Sequence, residues 1–275
     1  MYVSRNPYHI QLTIRELKLI MKIIDTHAHL DHVPDVENAL KRAYDAGVSD
    51  IVAVSTDLKA IKRNLELKRL ASNPRIHTAL GVHPGEIKME ELPETFQYIR
   101  SHISEAVAIG ETGLDYWYKW VRKNEDERKK QQDCFREHLI LAQEFNLPVV
   151  IHSRGAWRDC LDMTLEVGIK HALFHWYSGP VDVLADIIKE GFYVSCSPSL
   201  AYSPQSREAM THAPVERTLI ETDSPVFYNQ PDEGFQAEPK DVWKTLKAYS
   251  ELKNISQEEA LARLVNNAKS FFRIQ

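Results

Sequence analysis

The chain has 275 residues, of which 43% are hydrophobic and 27% are charged, and its formal net charge is −5. This composition is typical of a globular protein with a sizeable core, and it excludes fibrous and disordered classes. The negative charge and the absence of a long Lys/Arg run argue against a protein that binds duplex DNA along many phosphates. Three cysteines without C-x-x-C spacing, and no apolar run long enough to span a membrane, lead us to expect a cytoplasmic protein.

The first twenty residues lack the apolar stretch and cleavage site of a signal peptide. Met21 directly precedes the first strongly apolar run, so residues 1–20 are interpreted either as an upstream start or as a helix under the fold. No repeat or Pro/Gly-rich linker divides the rest of the chain. We therefore expect an N-terminal extension of uncertain role over residues 1–20 and one domain over residues 21–275.

Eight short apolar runs recur along the chain, and helix-period segments separate them. The predicted strands are Met21–His27, Asp50–Ser55, Ile76–His83, Ala106–Glu111, Pro148–His152, His171–His175, Gly191–Ser195 and Thr218–Asp223. The clearest predicted helices are Val36–Ala46, Leu58–Ala71, Glu125–Asn146 and a closing helix Ser256–Phe272 with Ser256 as its cap. The alternation predicts an α/β fold, a (β/α)8 TIM-type barrel. No G-x-G-x-x-G motif follows the first strand, as a doubly wound sheet would have.

Polar residues stand where the predicted strands stop, which is the end at which barrel enzymes carry their chemistry. These residues are His27, His29, Glu111, His152, His175 and Asp223. Two histidines two positions apart project from the same face of an extended strand. A carboxylate that ends an apolar run is costly to bury unless a cation compensates it. The set therefore predicts a metal site.

Six candidate ligands are too many for one tetrahedral ion that keeps a water molecule. They suit two divalent metal ions, with Glu111 as the bridge between them. Asp223 is predicted to bind one ion and to accept a proton from the attacking water, unless it only caps a helix before Ser224-Pro225. Imidazole and carboxylate ligands fit Zn²⁺, Mn²⁺, Fe²⁺ or Co²⁺, with Mg²⁺ possible, so the identity of the metal stays open.

Three further residues are assigned to substrate binding: Arg154, His83 and Asp115. Arg154 either forks onto a phosphate or forms a salt bridge to Asp115. His83 has three possible roles: it donates a hydrogen bond to the substrate, it supports a metal ligand, or it packs in its loop.

The segment after the fourth strand is rich in aromatic residues interleaved with basic ones. It contains Tyr116, Trp117, Tyr118 and Trp120, with Lys119, Arg122 and Lys123. Such residues offer stacking faces and positive charge to single-stranded nucleic acid. Aromatic residues in loops also simply pack on the barrel, and the sequence leaves both interpretations open.

Six motifs spread from Met21 to Phe272 carry a family resemblance. They are Asp25–Leu30, Gly81–Pro84, Gly110–Asp115, Pro148–Arg154, His175–Gly179 and Glu221–Pro225. Together they resemble the TatD-type deoxyribonuclease family, a branch of the amidohydrolase superfamily. The resemblance implies two divalent metals on His27, His29, Glu111, His152, His175 and Asp223. It also implies a 3′-to-5′ exonuclease whose partner is DNA, single-stranded or bound at an end.

Three segments depart from the pattern of that family, and one of them is the loop Tyr116–Lys130 after the fourth strand, which is rich in aromatic and charged residues. Residues 232–239 are acidic where an Arg-Gly-Lys-like turn is usual, and Trp176-Tyr177 replaces a more familiar Cys-Phe. The alternative function is a hydrolase of phosphotriesters, lactones or cyclic amides on the same metal pair. Many such relatives bridge their metals with a modified lysine, whereas this chain has Glu111. A barrel that only binds nucleic acid or protein would not be expected to retain every ligand.

Overall fold

The computed structural model describes residues 22–229 and 234–275. Its strands are β1 Ile23–Ala28, β2 Val48–Val54, β3 Arg75–Leu80, β4 Ala106–Gly113, β5 Val149–His152, β6 Ala172–Phe174, β7 Tyr193–Cys196, β8 Thr218–Ile220, β9 Phe227–Tyr228 and β10 Phe235–Gln236. Its α-helices are α1 Val36–Asp45, α2 Leu58–Leu70, α3 Leu92–Ser101, α4 Glu125–Phe145, α5 Trp157–Val167, α6 Val181–Lys189, α7 Pro204–His212, α8 Val242–Lys253 and α9 Gln257–Phe272. The predicted extension over residues 1–20 lies outside the described residues, and the division into domains stays a prediction.

The first eight strands form one parallel sheet in sequential order, β1 to β8. The two ends of the sheet meet just beyond β8, where the amide of Asp223 donates to the carbonyl of His27 at 2.9 Å and that of His29 to Ser224 at 2.8 Å. The sheet therefore closes on itself, and helices alternate with its strands. The predicted (β/α)8 barrel is confirmed.

The hydrophobic core has two layers. Inside the barrel, alternate strand residues pack together, namely Ile24, Val52, Val54, Ala79, Ala108, Val150, Leu173 and Leu219. The last turns of α9 add Ala268, Phe271 and Phe272 to this inner cluster, and Phe271 contacts Tyr193 at the start of β7. A larger cluster fills the space between the strands and the surrounding helices. Because α9 covers the end at which the strands begin, the opposite end remains for a functional site.

The helices begin and end at residues with the expected capping chemistry. The side chains of Asp57, Asn124 and Ser256 accept hydrogen bonds from the backbone amides of the first turns of α2, α4 and α9. Helix α4 ends at Asn146, whose φ of 50° places it in the left-handed region that asparagine tolerates. The four helices predicted from the sequence are therefore confirmed to within one residue at either end.

Several strand ends were predicted wrongly. Strand β4 does not end at Glu111 but continues, because Thr112 and Gly113 still pair with Ile151 and His152 of β5. Only glycine fits at position 113, where a Cβ atom would lie 2.0 Å from the carbonyl oxygen of His152. Strand β8 ends at Ile220, three residues before the predicted end at Asp223. Asp223 itself has a φ of 49°, which lies outside the extended region.

Strands β3 and β6 also end before the histidines predicted to close them. Strand β3 stops at Leu80 and β6 at Phe174, so His83 and His175 lie in the segments that follow.

The three cysteines, Cys134, Cys160 and Cys196, are free and buried. Among the described residues, no helix has the length and apolar character needed to cross a membrane. The cytoplasmic location stays a prediction.

Phe135 tests how much the packing of α4 on the barrel contributes to stability. Its ring is fully buried, whereas Ile140 on the same helix is 40% exposed. We expect Phe135→Ala to lower the free energy of unfolding by about 3–5 kcal/mol, because it leaves a cavity in the core. Ile140→Ala should change it by no more than about 0.5 kcal/mol. Urea denaturation followed by circular dichroism measures both, and equal effects would contradict this account of α4.

Candidate metal centre

The six residues predicted as metal ligands meet at the end of the barrel where the strands stop. They come from β1 and its end (His27, His29), from β4 (Glu111), from the last residue of β5 (His152), and from the segments after β6 and β8 (His175, Asp223). Parallel strands of a barrel bring their carboxyl ends to one face, so residues far apart in the chain become neighbours. The structure thus brings all six together, as the sequence predicts.

The carboxylate of Glu111 lies between two groups of histidines. Its Oε2 atom is 3.3 Å from Nε2 of His27 and 3.4 Å from Nε2 of His29. Its Oε1 atom is 2.7 Å from Nε2 of His175 and 2.9 Å from Nδ1 of His152. Each oxygen of this one carboxylate therefore faces a separate pair of imidazoles.

Asp223 completes the first of these groups. Its Oδ1 atom is 3.3 Å from Nε2 of His27 and 3.1 Å from Nε2 of His29. The left-handed backbone at Asp223 is a conformation that aspartate tolerates better than most residues. Because the carboxylate faces the two histidines, the geometry favours a role as metal ligand over the alternative role as a helix cap.

The donor atoms fit a divalent cation. His27 Nε2, Glu111 Oε2 and Asp223 Oδ1 are buried and have no hydrogen-bond partner. An unsatisfied buried polar atom costs about 1–3 kcal/mol, and more when it is charged. Within the described part of the chain, three groups have ligand atoms within 4.8 Å of one another: His27/His29/Glu111, His27/His175/Asp223 and His83/Glu111/His152. A bound cation would satisfy these atoms at once.

The ionised carboxylates dominate the electrostatics of the site. Burial alone would raise the pKa of Asp223, but the adjacent imidazole of His29 and the charges of the nearby histidines lower it to about 2. Burial would likewise raise the pKa of Glu111. The surrounding histidines outweigh this effect and hold the pKa well below its usual value. Both carboxylates are therefore ionised at neutral pH, which is the state that binds metal.

Two further carboxylates hold the histidines of the second group. Asp115 Oδ2 lies 2.9 Å from Nε2 of His152, and Glu221 Oε1 lies 3.3 Å from Nδ1 of His175. A carboxylate that accepts from one ring nitrogen orients the ring and leaves the other nitrogen free as a ligand. The free nitrogens are those that face Glu111. Sequence reasoning missed Glu221, although it stands two residues before Asp223.

A third buried carboxylate, Asp25, ties the two ends of the site together. It accepts hydrogen bonds from the amide and hydroxyl of Thr222 at 2.9 and 2.6 Å. These bonds link β1, which carries His27, to the segment that carries Asp223. Asp25 also escaped sequence reasoning, and its place two residues before His27 was the available signal.

Asp115 and Arg154 form a salt bridge beside His152. Nε and Nη2 of Arg154 lie 2.9 and 2.7 Å from Oδ2 of Asp115. Burial would raise the pKa of Asp115, but His152 and Arg154 lower it to about 2. The structure thus shows the salt-bridge alternative for Arg154, whose side chain nevertheless remains 48% exposed. Asp115 is fully buried, so its placement fits the positioning of His152 and Arg154 better than the expected contact with substrate.

His83 lies close to the second group, with Nε2 3.8 Å from Oε1 of Glu111. Its Nδ1 atom accepts a hydrogen bond from the amide of Gly85 at 2.9 Å. Burial lowers the pKa of His83 to about 3, so the ring is neutral and its one proton is on Nε2. A metal ligand needs a lone pair at that nitrogen. His83 is therefore suited to donate a hydrogen bond and not to bind the cation.

A cavity of about 810 Å³ opens above these residues. Of the four aromatic residues predicted to stack, Trp117 and Tyr118 line this cavity. Tyr116 is buried with its hydroxyl against Gln132, and Trp120 stacks on Tyr118 without lining the cavity. The loop thus divides between the two interpretations: two of its aromatic residues face the cavity and the others pack.

Comparisons with known proteins identify the family. Residues 24–273 match the family described as TatD related DNase. The chain belongs to this family. The metal-dependent hydrolase YabD of Bacillus subtilis is 34% identical, over 92% of this chain and 99% of its own. The human deoxyribonuclease TATDN3 is 28% identical, over 91% and 94%. The TatD homologue YjjV of Escherichia coli has a similar structure, with a TM-score of 0.83, 26% identity, and coverage of 92% and 98%. This TatD-family chain is accordingly a metal-dependent hydrolase.

Of the three departures from the usual TatD pattern, the loop after β4 contributes Trp117 and Tyr118 to the cavity, and the other two, residues 232–239 and Trp176-Tyr177, lie differently from each other. Glu238 faces α1, where both its oxygens accept from Arg42 at 2.8 and 2.9 Å, and it does not line the cavity. Asp232 and Glu233 lie outside the described residues. Trp176, in contrast, lines the cavity, while Tyr177 is buried with its hydroxyl bonded to the carbonyl of Pro180. Of these two departures, the one that touches the site is therefore Trp176.

The orienting role of Asp115 is tested by Asp115→Asn. We expect metal affinity to fall about 10- to 100-fold, because His152 loses the acceptor that fixes its ring. Asp50→Asn is the matched control, since Asp50 is a buried carboxylate that pairs with His77 at 2.8 Å near the start of β2, far from the site. Isothermal titration with Mn²⁺ or Zn²⁺ measures both variants. Equal losses of affinity would show that Asp115 acts only through the stability of the fold.

Proposed function

We propose that this protein hydrolyses DNA phosphodiesters from strand ends, using two divalent cations. The observation that carries the proposal is the position of Glu111, whose two oxygens face different pairs of histidines. One carboxylate between two ligand groups is the arrangement that a two-metal site requires. The description of the family and the name of the human relative support DNA as the substrate.

The ligands divide into two sets that share Glu111. On the contacts with Glu111 and Asp223, His27, His29 and Asp223 would hold one cation, and His152 and His175 would hold the other. Bound there, the cations would supply positive charge to the phosphate oxygens and activate water as the nucleophile. Zn²⁺, Mn²⁺ and Mg²⁺ are all compatible with these donors.

The remaining steps fall to side chains around the cations. Asp223, ionised at neutral pH, is the acceptor for the proton of the attacking water. The Nε2–H group of His83 donates a hydrogen bond to a phosphate oxygen, since its Nδ1 already accepts from the amide of Gly85. Arg154, which Asp115 holds at the cavity wall, presents its remaining donors to the same phosphate. Together these groups bind and orient one phosphodiester.

Cleavage from an end is favoured by the shape and charge of the protein. A cavity of about 810 Å³ has room for only a few nucleotides. The net charge of −5 offers no extended basic track for duplex phosphates. Trp117 and Tyr118 on the cavity wall provide stacking surfaces for unpaired bases. A single-stranded end that enters the cavity is therefore the proposed substrate.

Cleavage of end-labelled single-stranded DNA tests the function directly. We expect chelated protein to be inactive and Mg²⁺, Mn²⁺ or Zn²⁺ to restore activity. Glu111→Gln should lower kcat/KM by at least about 100-fold, beyond the effect typical of residues that only orient ligands. Product ladders from 5′- and 3′-labelled strands identify the end that is attacked.

The control is Glu144→Gln, an exposed carboxylate on α4 that is paired with Arg100 far from the cavity. DNA cleavage that survives chelation and the Glu111 substitution would exclude the proposal. Activity on a phosphotriester or lactone in place of DNA would favour the alternative substrate class.

Trp117→Ala tests stacking at the cavity mouth. The side chain is 58% exposed, so its loss should leave the fold intact. We expect KM for single-stranded DNA to rise about 5- to 150-fold, the equivalent of one base–aromatic stack. Tyr44→Ala, an exposed aromatic on α1 that does not line the cavity, should leave KM unaltered. If Trp117→Ala behaves like Tyr44→Ala, stacking at this residue is wrong.

A further inference from the structure

Trp176 follows the ligand His175 directly and lines the cavity beside it. Its φ is 39°, in the left-handed region that bulky residues rarely adopt. Such a conformation persists only where the surroundings over-determine it, and it is concentrated at functional sites. The backbone at Trp176 therefore calls for a functional explanation.

Two serines hold Trp176 in this conformation. Its amide donates to Oγ of Ser195 at 3.0 Å, and Ser195 in turn donates to Glu221, the carboxylate that orients His175. Its indole Nε1 donates to Oγ of Ser199 at 2.8 Å, and Ser199 is itself buried. Both the backbone and the ring are thus fixed by hydrogen bonds.

The part of Trp176 left for a ligand is apolar. The indole has one polar group, the Nε1 donor, and Ser199 already accepts from it. The buried ring of Tyr228 packs against Trp176 with centroids 5.6 Å apart. What remains on the cavity wall is aromatic surface, which attracts a flat unsaturated group and not a phosphate.

We propose that Trp176 determines substrate specificity by stacking on the nucleobase next to the scissile phosphodiester. This inference rests on the proposed DNA substrate. Its position follows from adjacency: Trp176 lines the same cavity as His152 and His175, so a phosphodiester bound at the cation that these two histidines would hold has a neighbouring base within reach of the indole. Trp176 is distinct from Trp117, which belongs to the loop after β4.

The test compares two oligonucleotides that differ only in one base. One ends in a normal nucleotide and the other in an abasic residue with the same phosphates. We expect the intact protein to prefer the base-bearing end by about 5- to 150-fold in kcat/KM, and Trp176→Ala to reduce this preference to within about twofold. The ratio of the two substrates on one preparation is unaffected by partial metal loss or partial unfolding.

Further variants separate stacking from a structural role. Trp176→Phe keeps an aromatic ring and should retain much of the preference. Ser199→Ala releases the indole and should weaken it, while Tyr44→Ala should leave it unaltered. A Trp176→Ala variant that slows both substrates equally, or an intact protein that does not distinguish them, would overturn the inference.

Binding measurements keep this inference separate from the proposed function. Fluorescence anisotropy under chelation compares the affinities of the two oligonucleotides when no cleavage is expected. A preference in binding that Trp176→Ala abolishes, in a protein that never cleaves DNA when metal is added, would reject the nuclease function and support the role of Trp176. Cleavage of both oligonucleotides without any preference for the base-bearing end would support the nuclease function and reject the role of Trp176.

Discussion

The buried carboxylate of Glu111 is the interaction on which the rest of the site depends. A carboxylate with almost no exposed surface is stable only when positive charge or hydrogen-bond donors surround it. Here the imidazoles of His27 and His29 lie near one oxygen and those of His152 and His175 near the other, with His83 farther out at 3.8 Å. The four nearer imidazoles come from β1 and its end, from β5 and from the segment after β6, so strands on both sides of the closing junction contribute to compensating the charge of Glu111. Two of these histidines, His152 and His175, are in turn held by the carboxylates of Asp115 and Glu221.

Closure of the barrel and assembly of the site use the same hydrogen bonds. The amide of Asp223 donates to the carbonyl of His27, which closes the sheet and also brings two proposed ligands together. Asp25 adds two bonds across this junction through Thr222. The left-handed backbone at Asp223 is held in place by this junction, and it turns the carboxylate toward His27 and His29. The geometry of the site is therefore a consequence of how the barrel closes.

The sequence predicted the barrel and the six converging residues because both follow from periodicity and from where apolar runs stop. It could not predict side-chain directions in the segments beyond the strands. Asp115 was assigned to the substrate, whereas the structure buries it behind His152 and Arg154. Glu221 was missed because an acidic residue at a strand end gives no sign of which histidine it faces. The end of β4 depended on its register with β5 near Gly113, a tertiary property that local pattern does not contain.

The bonds around Trp176 separate substrate selection from metal binding. Ser195 connects the Trp176 position to Glu221 and hence to His175, but it does so through the backbone amide of Trp176. Any residue except proline supplies that amide, so a change of side chain leaves the support of His175 in place. The indole, in contrast, depends on Ser199 and meets the cavity. A chain can therefore exchange the aromatic surface at this position, and with it the stacking that we propose, without moving the ligand one residue away.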